Sequence, residues 1–263
     1  MKKILGIYFS PRKNGNSFLT LKKLKNLLTD KSEIEIININ DFAIKECKAC
    51  YSCLTDRCVL NDDFETIVNK MIESDCIIIV TPVYVLGPNS SFKRFVDRFI
   101  SLYKTVDKIY KKNVILISIA GFPEVGEGYT DIALKASFEA IGFEIKFSTV
   151  LYAALPGEVL YEENIKKIKE VYNSIFSDNS KKLNKCNYCS STYFELKNDL
   201  LKCVICKSEY KLEEGKIVEK KKGQIFFGSL DRLKEHREWL INMKNKYIKK
   251  RDELKKLIRE ETK

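Results

Sequence analysis

The sequence predicts an α/β fold: a doubly wound, five-stranded parallel sheet, followed by a small cysteine-rich unit and a long C-terminal helix. Three observations predict it. Short apolar runs alternate with amphipathic stretches through residues 1–177, the pattern of strands and crossover helices. The run Cys-Ile-Ile-Ile-Val at residues 76–80 has no polar interruption, as a parallel strand covered on both faces requires. After a polar, lysine-rich stretch at residues 177–185 come two C-x2-C pairs and then a helix with heptad-spaced apolar residues.

Strands are expected at residues 4–9, 34–39, 76–80, 114–120 and 145–152. Helices are expected at residues 18–28, 62–72, 91–103, 131–141 and 162–176. Leu19, Leu21, Leu24, Leu27 and Leu28 form the apolar face of the first helix. Five strands with intervening helices match the flavodoxin-like layout. Residues 177–185 read as a linker, residues 186–219 as the cysteine-rich unit and residues 220–228 as a second connection. Within the unit, residues 193–196 and 200–202 suit a hairpin around Lys197-Asn198-Asp199. Ser229 can cap the final helix, along which Leu233, Leu240, Tyr247 and Leu254 recur every seventh residue, with His236, Met243 and Leu257 as a second row. The expected domains are therefore 1–177, 178–228 and 229–263.

The formal charge is +11, with 24 basic against 22 acidic residues in 1–177 and 23 against 14 in 178–263. The basic character belongs to the appendage. No apolar run approaches the ~18 residues of a membrane span. The apolar stretch after Met1-Lys2-Lys3 is too short for a signal sequence and ends in Pro11-Arg12-Lys13. A cytoplasmic location and no membrane partner are expected. In that reducing compartment nine cysteines do not read as disulfides, and eight of them fall into two clusters, which points to metal.

Ser10-Pro11-Arg12-Lys13-Asn14-Gly15-Asn16-Ser17 lies between a strand and a helix. A helix N-terminus with hydroxyls, amides and a cation beside it can hold a phosphate, though a polar surface loop with an Asn-Gly turn has the same look. The loop is neither a Walker sequence nor a GxGxxG fingerprint, which argues against a nucleotide triphosphatase. Thr81-Pro82-Val83-Tyr84-Val85-Leu86-Gly87-Pro88-Asn89 follows the buried third strand and suits a flat heteroaromatic ring. The loop starting at Gly121 reaches the same sheet edge.

Residues 10–17 resemble the Gly-Ser-Pro-Arg-Lys-Asn-Gly-Asn-Ser/Thr loop of the NADPH-dependent FMN reductase superfamily. Thr81-Pro82-Val83-Tyr84, with Lys93, Phe95, Asp97 and Arg98, is similar to the same superfamily. The resemblance implies that Ser10, Arg12, Asn16 and Ser17 hold the FMN phosphate, while Pro82, Val83, Tyr84 and Gly87 line the isoalloxazine; Gly121, from its place at the same sheet edge, is a further candidate cofactor contact. Phe9 departs from the glycine usual there, and Val85-Leu86 replaces an aromatic residue of many relatives.

Cys47, Cys50, Cys53 and Cys58 form C-x2-C-x2-C-x4-C. Such compact runs suit iron–sulfur clusters, whereas structural zinc more often uses two separated pairs. With the flavin motifs, this run resembles the iron–sulfur flavoproteins, a branch of the superfamily. The resemblance implies a [4Fe-4S] cluster on these four cysteines, a homodimer or homotetramer, a ferredoxin as electron donor and a small-molecule acceptor. Cys76 reads as a core residue. Cys186, Cys189, Cys203 and Cys206 form two knuckles suited to a tetrahedral zinc ribbon; rubredoxin-like iron is the rival, although Ser190 and Lys207 stand where rubredoxin knuckles carry glycine. The expected function is electron transfer through cluster and FMN. The rivals are an NAD(P)H-dependent FMN or quinone reductase without a cluster, and a redox sensor whose basic ribbon binds nucleic acid, the less favoured partner. The ribbon is expected to be separable from the flavin domain.

Overall fold

The computed structural model describes residues 1–28, 32–177, 185–189 and 191–261. Most of the expected linker, and Ser190, lie outside the described residues. Five parallel strands, β1 (Lys2–Tyr8), β2 (Ser32–Asn38), β3 (Cys76–Tyr84), β5 (Asn113–Ala120) and β6 (Glu144–Tyr152), stand in the order β2-β1-β3-β5-β6. This is the flavodoxin-like order, with its switch point between β1 and β3. β3 is buried from Cys76 to Thr81, as its continuous apolar sequence requires. It runs past the expected end at Val80 because a two-residue strand, β4 (Gly87–Pro88), folds back on it and pairs Val83 with Pro88 and Tyr84 with Gly87.

Helices α1 (Asn16–Leu27) and α6 (Glu162–Phe176) cover one face of the sheet. On the other face lie α2 (Phe64–Glu73), α3 (Ser90–Val96) and α5 (Thr130–Glu139). α2 starts two residues later than expected because Asp62 is used elsewhere: its carboxylate accepts from the N–H groups of Lys45 and Phe64 and pairs with Arg98. The helix expected over 91–103 is α-helical only to Val96. It then tightens into a 3-10 segment, Asp97–Thr105, that brings Arg98, Phe99, Leu102 and Tyr103 inside. A short helix, α4 (Val106–Ile109), follows.

The appendage is a four-stranded antiparallel sheet and a helix. The expected hairpin is present as β7 (Phe194–Lys197) and β8 (Leu200–Cys203). Two further strands, β9 (Glu209–Glu213) and β10 (Lys216–Lys221), lie where no strand was expected. Glu214 and Gly215, both at positive φ, form their two-residue turn. Helix α7 (Leu230–Glu261) is capped by Ser229, whose hydroxyl accepts from the N–H of Arg232 at 3.3 Å. None of the described helices is long and apolar enough to cross a membrane.

The appendage packs into the first domain. Leu233 and Leu240 of α7, Phe227 and the four ribbon cysteines belong to the same apolar core as α2, α3 and α5. The Tyr193 hydroxyl donates to Asp131 of α5, and Lys234 pairs with Asp107 at 2.6 Å. Gly142 is at φ +90°, and a Cβ there would lie 2.7 Å from Leu233.

Candidate functional site: a phosphate loop, a hairpin and two cysteine sets

The first helix begins in a way that leaves its N-terminus open. Gly15 is the cap residue, in extended conformation with no side-chain cap, and the first turn of α1 carries no acid. The backbone N–H groups of that turn and the helix dipole favour an anion there. Ser10 and Ser17 are buried beside the turn and Arg12 is exposed. The Ser10 hydroxyl accepts from the Arg12 N–H, which shapes the loop. Phe9 does not crowd this loop: its ring turns into the core, 5.3 Å from Phe92 and 5.7 Å from Phe95.

Asn16 is engaged by the backbone of another loop. Its amide nitrogen donates to the carbonyls of Ala153 and Leu155, and its amide oxygen accepts from the N–H of Gly157. The side chain therefore ties the loop after β6 to the start of α1.

Pro82, Val83, Tyr84 and Gly87 lie on the β3–β4 hairpin, whose turn residues Val85 and Leu86 adopt φ +49° and +62°. A β-branched residue there is strained, a feature that concentrates at functional sites. Tyr84, Val85 and Leu86 are exposed. The Tyr129 N–H donates to the Leu86 carbonyl at 2.8 Å. Gly87 and Gly128 permit this docking: a Cβ on Gly87 would lie 2.2 Å from the Tyr129 hydroxyl, and one on Gly128 2.3 Å from the Leu86 carbonyl oxygen. Gly121, directly after β5, is open, with nothing near the place of a Cβ. The loops after β1, β3, β5 and β6 thus share the carboxyl edge of the sheet.

The compact cysteine set lies in the irregular segment after β2. Its regular pieces are two 3-10 turns, Ile39–Asp41 and, within the cysteine run, Ser52–Leu54. Ala49 and Tyr51 both have positive φ and flank Cys50, so the chain reverses sharply between cysteines. All four cysteines are among the residues that line one small cavity. Burial, and then the neighbouring thiols of Cys58, Cys47 and Cys50, push the Cys53 thiol up to about 11. The Arg98 guanidinium donates to the Cys58 sulfur at 3.4 Å. From α7, the Arg237 guanidinium donates to the carbonyl of Leu54 at 3.0 Å through Nε. Cys76 is buried in β3 as expected, and burial raises its thiol to about 11.

The second set is gathered more tightly. The sulfurs of Cys186, Cys189, Cys203 and Cys206 all lie within 4.8 Å of one another and are buried; among the described residues no other group of three or more potential ligands is so gathered. A tetrahedral ion with metal–sulfur bonds of about 2.3 Å puts its ligands roughly 3.8 Å apart, so the set fits a single ion. The two knuckles match: the Cys186 N–H donates to the Ser191 carbonyl and the Cys203 N–H to the Ser208 carbonyl, both at 2.8 Å. Lys207 adopts φ +61°, the conformation glycine would supply, so its lack of glycine does not exclude a rubredoxin-like knuckle. Tyr210, fully buried, has its hydroxyl 3.1 Å from the Cys186 sulfur.

The profile of the NADPH-dependent FMN reductase family matches residues 2–164. The chain belongs to that family. Membership makes it a flavin-dependent oxidoreductase, and the matched residues include the loops after β1, β3 and β5 and the compact cysteine set. An iron–sulfur flavoprotein of Archaeoglobus fulgidus is 32% identical to this FMN reductase family member over 178 residues, covering 66% of this chain and 78% of that protein. An iron–sulfur flavoprotein of Methanocaldococcus jannaschii is 35% identical over 98 residues, covering 36% of this chain and 51% of the relative, about half its length. Among solved structures, a flavone reductase superposes with a TM-score of 0.64 at 17% identity, covering 94% of this chain and 91% of that one. The fold likeness therefore extends beyond the sheet into the appendage.

Proposed function

We propose that this family member carries FMN at the carboxyl edge of the sheet and an iron–sulfur cluster on Cys47, Cys50, Cys53 and Cys58, and passes electrons between a ferredoxin-like donor and a small acceptor. The observation that carries the reading is the single cavity lined by all four cysteines, in a chain with iron–sulfur flavoprotein relatives. When bound, FMN exchanges one or two electrons and the cluster one, so the pair joins single-electron donors to two-electron acceptors.

In this reading the open first turn of α1, with Ser10, Ser17 and Arg12, receives the phosphate. Asn16 acts indirectly by fixing the 153–157 loop. The Pro82–Tyr84 segment and Gly87 hold the ring system, with Gly121 leaving space beside it. Cys186, Cys189, Cys203 and Cys206 hold one structural zinc ion, since all four positions are filled by buried protein ligands and none is left for substrate. A homo-oligomer is expected, with the exposed hairpin at its edge.

The donor is tested by anaerobic stopped-flow reduction. Reduced ferredoxin should bleach the bound flavin, and Cys50→Ser should slow that step while leaving FMN bound. Equal rates in wild type and C50S would remove the cluster from the electron path, and rapid hydride transfer from NADPH in both would favour a simple flavin reductase.

A further inference from the structure

We infer that Arg98 is a positioning residue for the cysteine set, held by Asp62 so that one N–H of its guanidinium is aimed at Cys58. The inference rests on the reading that Cys47, Cys50, Cys53 and Cys58 ligate an iron–sulfur cluster. Arg98 is only 2% exposed although it carries a permanent charge, so the fold invests structure in keeping it inside. A guanidinium offers five donors in a fixed plane, and those directed here have definite partners. One terminal nitrogen meets the Lys45 carbonyl at 3.0 Å and an oxygen of Asp62. The other meets the second Asp62 oxygen at 3.3 Å and the Cys58 sulfur at 3.4 Å. The central carbon of the guanidinium, Cζ, lies 4.6 Å from the centroid of the Phe64 ring. Asp62 is itself fixed by the N–H groups of Lys45, at 2.9 Å, and Phe64, at 3.3 Å.

A structural ion pair alone does not require a cysteine sulfur as a third partner. The placement does more than balance Asp62, because Arg98 also lines the cavity that the four cysteines share. An N–H donor on a ligand sulfur stabilises the more negative, reduced cluster and so raises its potential. It also fixes the ligand's direction, as partners outside the ligand shell of metal sites do.

The test uses the full chain, anaerobically reconstituted, in two variants. R98K keeps the charge but lacks the planar fork. R98M combined with D62N removes the pair together and leaves no lone buried charge. Bound FMN, zinc content and far-ultraviolet circular dichroism report folding. Both variants are expected to retain FMN and zinc but to lose iron to a chelator roughly tenfold or more faster than wild type, the usual scale for losing such a partner. In R98M/D62N the cluster midpoint, followed by EPR in a redox titration, should move to a more negative value. Wild-type midpoint and iron retention in both folded variants would overturn the inference. A wild-type protein that takes up no iron and sulfide would overturn the cluster reading itself, and this inference with it.

Discussion

At the residue scale, the loop after β1 divides, in the proposed reading, into groups that would meet the FMN phosphate and one that holds the loop. Ser17 sits in the uncapped first turn of α1. Ser17→Ala should weaken FMN binding by roughly tenfold, the value of one hydrogen bond to a charged group, with thermal stability near wild type. Asn16→Ala leaves the N–H of Gly157 and the carbonyls of Ala153 and Leu155 without their partner. It should cost about 1–3 kcal/mol of stability and weaken FMN indirectly. Titration of apoprotein with FMN beside thermal melts separates the two effects; equal melting temperatures for wild type and N16A would contradict the division. The distinction was not legible in the sequence, because the partners of Asn16 lie 137 residues or more away in the chain. The Arg98–Cys58 contact spans 40 residues and was hidden for the same reason, although Arg98 stood out by resemblance.

At the element scale, the inner strands β1, β3 and β5 were readable because a strand buried on both faces must be nearly all apolar; the edge strands β2 and β6 carry polar residues and are only partly buried. β9 and β10 were not readable: they form a small, half-exposed sheet in which Lys and Glu outnumber apolar residues. The Glu214-Gly215 turn between them was the available signal. The C-terminal helix was read correctly as a helix, and its heptad residues divide by position. Leu233 and Leu240 are buried against the first domain, while Tyr247 is exposed. Leu233→Ala should therefore cost about 2–5 kcal/mol and lower the melting temperature of the whole chain. A chain ending near Ser177 should melt lower still and hold its cysteine loop less firmly, since Arg237 no longer reaches Leu54. Full-length stability in L233A would mean that α7 is only tethered.

At the scale of the whole molecule, the two cysteine sets lie far apart in the sequence, and in the proposed reading their spacing gives them different chemistry. The second set is gathered within 4.8 Å, as one ion needs; a compact C-x2-C-x2-C-x4-C loop around a shared cavity suits a larger centre. Metal, sulfide and flavin analysis of anaerobically reconstituted protein decides between a cluster flavoprotein and a plain flavin reductase. Wild type should hold about four iron and four sulfide per chain, as four cysteine ligands to a [4Fe-4S] centre imply, together with FMN and zinc. Cys50→Ser should lose iron and sulfide and keep FMN, while Cys189→Ser should release zinc and keep iron. Wild-type protein that binds FMN and zinc but takes up neither iron nor sulfide would contradict the cluster and leave the flavin reductase.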